Sequence, residues 1–421
     1  MTPAGYPGED TMAGTSVAEN LARLRVARDL SQEQLAEAAG VGLDTVARIE
    51  QGKRTQSRPA TLRKLASALG VTIDTLLGHM PAPHSLDIEV VSLRRAINAD
   101  TDIPGLNDLA DSRDVLALPE LAAEAHDAWR AYVDGQHTAL VHALPLILTD
   151  ARRIVREAHD DERAGGYRIL STAYRLGAGI AGRLGLDDLA YTSARRAVDE
   201  AAKADTPEIE RAISLRYLAW TLVRQGLHED AERVATEAAA LIEPRMLDRD
   251  PHRAGVFGNL LFNAATAALN NGSTSRADDL LAAAHAAAIR SHGDTATEAA
   301  IFGPRVAALQ RVDFMVRAGD PERALALANS TPPATGTEVP AFWEAGHRLF
   351  LAAAALELRK DKDALNRLAE ARDLAPDWVR YQPLGKRVMR TLIDRTTRRR
   401  GTVFAELATH YGIITGNNSP R

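Results

Sequence analysis

One stretch, residues 30–53 with the sequence LSQEQLAEAAGVGLDTVARIEQGK, constrains this 421-residue chain more than any other. It spells two short amphipathic helices joined by a glycine turn. Ser31 and Gln34 stand at the spacing of a capping box, in which each residue satisfies a backbone donor at the start of a helix. Leu35 and Ala36 supply the inward face of the first helix. Gly40 tolerates the left-handed backbone that a sharp turn demands. Val41 is placed to plug the core, and Val46 and Ile49 point inward at i, i+3 on the second helix. The flanks extend the unit. Val17, Leu21 and Leu24 make a helical stripe at i, i+4 and i+7. Pro59 opens a further helix with Leu62, Leu65 and Leu69 inward, Gly70 and Val71 end it, and residues 73–77 suffice for one last short helix. The spacing therefore predicts five helices over residues 16–78.

Two short helices with glycine in their turn have the helix-turn-helix shape, whose second helix enters the DNA major groove. Residues 16–78 resemble the Cro/repressor (Xre) family of DNA-binding domains along their whole length. The resemblance implies a lambda-repressor-like fold and a role for particular positions. Arg25 and Glu50 match an internal ion pair of that family. Gln32 matches a residue at a helix N-terminus that grips a phosphate. Lys53, Arg54 and Thr55 match the phosphate-contacting loop after the recognition helix. Leu43, Asp44 and Arg48 match side chains that reach base edges. The chemistry agrees. An arginine can be bidentate to guanine, an aspartate can accept from cytosine N4, and Leu43 or Thr45 can touch a thymine methyl. Two positions depart from the pattern. Gly42 stands where a Ser or Thr N-cap is usual, and Leu43 stands where a long polar residue is common. A leucine there can pack instead of reading DNA, and Asp44 can simply favour the helix dipole.

Charge adds a little. Residues 16–80 hold nine Lys/Arg against seven Asp/Glu, a net of +2 on a chain of net −5. That neutralises few phosphates per subunit, so dimerisation is the expected way to gain affinity. The chain has no cysteine, which excludes disulfides, thiol catalysis and cysteine-ligated metal. No apolar run is long enough to span a bilayer, and residues 1–15 lack signal-peptide regions, so a cytoplasmic protein with a disordered lead-in is expected. There is no H-E-x-x-H, and Gly52-Lys53 is followed by Arg54 without the upstream glycine of a phosphate-binding loop. Neither an enzyme nor a cofactor is expected.

Residues 79–117 read as a linker, with two prolines early, a helix over 86–98 and a turn-rich connector. From residue 118 to 415 the pattern is helical almost throughout, which makes the chain all-α; residues 416–421 read as a disordered tail. The region repeats. Gly-x4-Ala recurs as Gly185/Ala190, Gly226/Ala231, Gly272/Ala277 and Gly319/Ala324, and a degenerate copy has Arg359 before Ala364. Ala364, Ala371 and Pro376 follow the spacing of a tetratricopeptide second helix. The region resembles a divergent tetratricopeptide (TPR-like) array, which implies an α-α superhelix with a concave face. In such arrays the first helix of each pair faces inward, here with Thr172, Arg175, Arg216, Trp220, Asn259, Asn263, Gln310 and Asp313. Asn259 and Asn263 share one helix face and suit a peptide backbone, while Arg175 and Arg216 suit a carboxylate. These four form the candidate ligand site. The competing reading has them hydrogen-bonding neighbouring helices. Trp220, Phe257, Phe262 and Trp343 read as core. Residues 377–400 carry eight Lys/Arg against two Asp/Glu, a basic run before a final amphipathic helix with Phe404, Leu407 and Tyr411.

An Xre-type headpiece with a TPR-like region resembles one-component regulators of the peptide-pheromone Rap/Rgg/PlcR type, and its composition resembles actinobacterial Xre regulators. The expectation is a dimeric, sequence-specific transcriptional regulator. Its partners would be a double-stranded DNA operator, a second copy of the chain, and a peptide or small-molecule effector. The alternative is a DNA-anchored adaptor whose array binds a protein without a small ligand.

Overall fold

The computed structural model describes residues 17–53, 59–71, 73–77, 90–99, 103, 116–244, 250–291, 293–333, 335, 339–395 and 401–413. Expectations for residues 1–15, for most of 79–117 and for the tail lie outside them. In chain order the first helices are α1 Val17–Ala27, α2 Gln32–Ala39, α3 Leu43–Glu50, α4 Pro59–Ala68, α5 Ile73–Leu76 and α6 Val91–Asn98. Then come α7 Leu118–Val133, α8 His137–Glu157, α9 Asp160–Arg183, α10 Asp187–Ala201, α11 Pro207–Arg224, α12 His228–Leu241, α13 Pro251–Asn270 and α14 Thr274–Arg290. A short antiparallel hairpin follows, β1 Thr295–Ala296 with β2 Ile301–Phe302. The chain continues with α15 Pro304–Arg317, α16 Pro321–Ala328, α17 Ala341–Glu357, α18 Asp361–Leu374, α19 Pro376–Arg380, α20 Pro383–Asp394 and α21 Thr402–His410. The described residues are all-α apart from that hairpin, for which the sequence showed no strand signal. Two compact units emerge, residues 1–85 with 348–421, and residues 86–347.

The first unit contains the headpiece. The Ser31 hydroxyl accepts from the Gln34 N–H at 3.1 Å while the Gln34 side chain accepts from the Ser31 N–H at 2.8 Å, so the capping box is formed. Gly40 takes φ +56°, and the Val41 N–H returns to the Ala36 carbonyl at 3.0 Å. These bonds satisfy the last carbonyls of α2 and turn the chain into α3. Leu21, Leu24, Leu35, Val46, Ile49, Leu65, Leu69 and Leu76 are buried. Burial of each such side chain contributes roughly 1.5–3 kcal/mol. Val41 and Leu62, read as inward, are only half-buried.

The same unit holds the C-terminal helices, which is a departure from the expected boundaries. The expected boundaries place residues 348–415 in the array, whereas the described residues of 348–413 group with the headpiece. Val388, Met389, Leu392 and Ile393 form a buried stripe on α20, and Phe404, Leu407 and Tyr411 are buried as expected. Helix α1 packs on α20 and α21. Arg23 pairs with Asp394, and the Gly401 N–H donates to Asp29 Oδ1 at 3.3 Å. Part of the basic segment therefore lies in this packing; residues 396–400, including Arg398–Arg400, lie outside the described residues.

In the second unit consecutive helices pack as antiparallel pairs, α7 with α8, α9 with α10, α11 with α12 and α13 with α14. The repeated glycines have a backbone cause. Gly185, Gly226, Gly272 and Gly319 end the first helix of a pair with φ between +76° and +82°. The following N–H closes onto the carbonyl five residues back, as in Leu186 to Ala181 at 2.8 Å and Ser273 to Ala268 at 2.9 Å. The alanines five residues after each glycine, Ala190, Ala231, Ala277 and Ala324, are 0% exposed. Gly135 at φ +75° is a further copy, hidden in the sequence because Leu140 replaces the alanine. In the first unit, Arg359 adopts φ +59° at the degenerate copy. A left-handed conformation costs an L-residue about 1–2 kcal/mol that glycine does not pay, offset by roughly 0.5–1 kcal/mol of glycine chain entropy. Arg359→Gly is therefore expected to stabilise the chain by about 0.5–1 kcal/mol. Thermal melting checks this, and a lowered midpoint would contradict it.

The expected linker is partly core. Helix α6 spans 91–98 where a helix over 86–98 was read; residues 86–89 are outside the described set. Leu93, Ala96 and Ile97 are buried, and the Arg152 guanidinium donates twice to the Ala96 carbonyl at 3.0 Å. The Arg196 Nη1 reaches the Ala99 carbonyl at 2.6 Å. These bonds tie α6 into the second unit. A helix with three buried apolar residues stabilises most by packing, so it behaves as core and not as tether.

Candidate nucleic-acid interface and array sites

Helix α3 is short, and its inner face is held by Val46 and Ile49. Its start is Gly42, which offers no side-chain cap, as the sequence indicated. The outward face carries the predicted readers. Leu43 is 44% exposed, so it does not pack into the headpiece. Arg48 and Asp44 lie one turn apart, joined by an ion pair of 2.9 Å with side chains 62% and 76% exposed. So exposed a pair contributes little stability. Arg48 is held loosely and can exchange Asp44 for another acceptor. Thr45 is half-buried and Lys53 exposed. Arg54 and Thr55 lie outside the described residues.

Behind this face stands a charged anchor. Arg25 Nε and Nη2 bind Glu50 Oε1 and Oε2 at 2.7 and 2.9 Å, with side chains 13% and 6% exposed. Arg25 Nη1 also donates to the Leu30 carbonyl at 2.9 Å. The pair joins the end of α3 to α1 and to the turn before α2. Gln32 was expected to grip phosphate. Its amide instead donates to Glu50 Oε2 at 2.7 Å, so contact with a phosphate would require release of that bond.

The expected ligand site on the array is not assembled. Asn259 is buried at 5% exposure, and its amide donates to the Gly255 and Ile301 carbonyls at 2.9 and 3.1 Å. Asn263 donates to the Arg216 carbonyl at 3.1 Å. Both asparagines join neighbouring backbone, which is the reading that competed with ligand binding. Asp313 likewise meets His347 at 3.1 Å in a buried pair. Arg175 is 3% exposed, and its Nη1 reaches Glu210 Oε2 at 2.7 Å while Nη2 reaches Thr172 Oγ1 at 2.5 Å. Its charge is already compensated. Arg175 does border a pocket of about 190 Å³ with Arg168, Thr172, Glu210 and Glu298, but Arg216, Asn259 and Asn263 do not line it. Sequence reasoning missed Glu210 and Glu298 because neither occupies the register of the inward positions it considered. Of the residues read as core, Phe262 is buried, while Trp220, Phe257 and Trp343 are half-buried.

Among the described residues no three His, Asp or Glu side chains cluster to hold a metal. Among the described residues no helix is long and apolar enough to cross a membrane.

Comparison with known proteins agrees with this geometry at the headpiece. Residues 21–76 match the family model described as Helix-turn-helix, and they form such a domain. The chain is 42% identical over 67 residues to the uncharacterized HTH-type transcriptional regulator RghRB of Bacillus subtilis strain 168, covering 15% of this chain and 48% of that one. It is 44% identical over 62 residues to the HTH-type transcriptional repressor RghR of the same organism, covering 15% and 46%. The chain thus spans about half the length of the curated relatives it matches. Among solved structures, the Bacillus thuringiensis PlcR complex with the peptide PapR7 and DNA aligns with 75% of this chain and 95% of its own, at 10% identity and a TM-score of 0.35. That score is too low to establish a shared fold.

Proposed function

We propose that this chain is a sequence-specific DNA-binding transcriptional regulator that acts as a homodimer, with the headpiece reading an operator and the helical array sensing an effector. The observation that carries the DNA-binding part is the outward face of α3. There Leu43, Asp44 and Arg48 are all exposed on the second helix of a helix-turn-helix. That helix is the one that enters the major groove in such domains. Dimerisation is supported by arithmetic of charge, since a headpiece of net +2 releases few counterions alone. Thr45 is proposed beside Leu43 as a thymine-methyl contact, and Gln32, Lys53, Arg54 and Thr55 as phosphate contacts around the readers.

The test separates reading from grip. Arg48→Ala should cost about 1–3 kcal/mol and relax preference at one base position. Lys53→Ala should weaken binding to all sequences alike and reduce the salt slope by about 1. The operator is first found by genome-wide footprinting of bound sites. Fluorescence anisotropy on that site, its single-base variants and a salt series then reads both effects. Indifference to both substitutions would remove α3 from the interface. Sedimentation of the full chain on its operator tests the dimer, and a single copy bound there would refute it.

A further inference from the structure

Several shielded arginines of the second unit pair with carboxylates. Arg175 has Glu210, Arg224 has Asp187 at 2.7 Å, and Arg305 has Glu344. Arg183 and Arg216 have no carboxylate partner among the described residues. Arg183, the last residue of α9, lies 3.7 Å from the Tyr132 ring centroid and 5.0 Å from that of Phe342. Its Nη1 donates to the Tyr132 carbonyl at 2.8 Å, a neutral partner. Arg216 lies over Tyr217 at 4.6 Å, and its Nε is buried without a hydrogen-bond partner. All four residues keep partial exposure.

Packing of α9 on α11 brings them together, with the Trp220 ring, one turn beyond Arg216, against Gly182, the residue before Arg183. Burial raises the Tyr132 hydroxyl pKa, and the Arg183 and Arg216 charges both oppose that rise. Burial also lowers the Arg183 pKa, while Tyr132 and Tyr217 act in the other direction. On the far side, burial and then the Arg183 charge push His137 down to about 3, so that imidazole brings no second charge. Two guanidiniums thus sit among aromatic rings, partly desolvated, with no anion beside them. Desolvation of a charge costs several kcal/mol unless a counter-ion repays it.

The packing is built for those rings. A Cβ at Gly179 would lie 2.6 Å from Tyr132, and one at Gly182 would lie 2.4 Å from the Trp220 ring. Glycine in a helix interior weakens the helix relative to alanine. Here it lets Tyr132 and Trp220 lie against the backbone of α9 at Gly179 and Gly182.

We propose that Tyr132, Arg183, Arg216 and Tyr217 form a binding site for a small organic molecule bearing an oxyanion, a carboxylate or a phosphate, on a flat body. The two guanidiniums take the oxyanion, since their planar forks match its geometry. The aromatic rings flank the body. Arg216 Nε gains the acceptor it lacks. The site would serve the effector sensing proposed above, but its occupancy does not depend on that reading.

The test uses the full chain with sodium benzoate and, separately, inorganic phosphate, each against sodium chloride at equal ionic strength. Thermal melting should rise saturably for at least one probe, by about 3 °C at tenfold excess over Kd. A rise with benzoate alone identifies an aromatic carboxylate, and one with phosphate alone a phosphate. Arg183→Gln and Arg216→Gln should each abolish the rise, whereas Arg94→Gln on the exposed face of α6 should keep it. A purely structural role predicts lower midpoints for the two variants with no probe response in the parent chain. That result, or a response that survives both variants, overturns the site. DNA binding is measured without either probe, so failure of the operator reading and failure of the site are told apart.

Discussion

Arg25→Ala is expected to lower the stability of the headpiece by about 3–5 kcal/mol, because it leaves Glu50 charged and largely out of water. Glu50 is 6% exposed, and Arg25 supplies two of its hydrogen bonds. Gln32 would still donate one, which places the loss toward the lower end of that range. The substitution also frees the Leu30 carbonyl at the turn into α2. Its effect on DNA binding is therefore indirect, through the seat of α3, and should vanish when the headpiece is kept folded at low temperature. Hydrogen exchange at amides of residues 17–53 measures the loss locally, which matters in a chain of two units. Unchanged protection at those amides would show that the pair contributes nothing. Arg25→Ala with Glu50→Leu should recover much of the loss, since an apolar replacement of both partners removes the stranded charge.

Tyr411→Ala should cost about 3–5 kcal/mol as well, by a different mechanism. Tyr411 is 0% exposed, and a Cβ on Gly385 of α20 would lie 2.4 Å from its ring. Its hydroxyl donates to the Leu368 carbonyl of α18 at 3.3 Å. The ring therefore fills the space between α18, α20 and α21, and truncation leaves a cavity there; the Leu368 carbonyl, inside α18, keeps its helical bond. Tyr411→Phe keeps the ring and should cost only about 1 kcal/mol. Because α1 packs on α20 and α21, Tyr411→Ala should also loosen the headpiece from its C-terminal support. Hydrogen exchange at α1 and α20 together reads that effect. Loss confined to residues 401–413 would show that the ring supports only its own segment.

Several elements were legible because their causes are local. The capping box of α2, the left-handed turn at Gly40 and the inward apolar stripe of the headpiece each depend on residues within a few positions of one another. The repeat was legible for the same reason. A helix ending in a left-handed residue needs glycine, and close helix packing five residues later needs alanine. Even Arg359 was recognised in a glycine position from spacing alone, and its φ of +59° bears that out. The copy at Gly135 escaped because only one of its two markers is present.

What the sequence by itself determined, then, is the set of elements, the helix-turn-helix and the outward face of α3, all governed by periodicity, capping and backbone sterics over short spans. Only the tertiary structure decided the rest. It decided that Asn259 and Asn263 spend their amides on neighbouring carbonyls, that Glu210 neutralises Arg175, and that Arg183 and Arg216 meet no carboxylate among the described residues. It also decided that the last helices join the headpiece unit and that α6 is core. The physical reason is range. Whether a polar side chain is satisfied or left waiting depends on what lies opposite it in space, here on partners 35 to 47 residues away. A register of inward positions names candidates, and only the packed neighbours supply or withhold their partners.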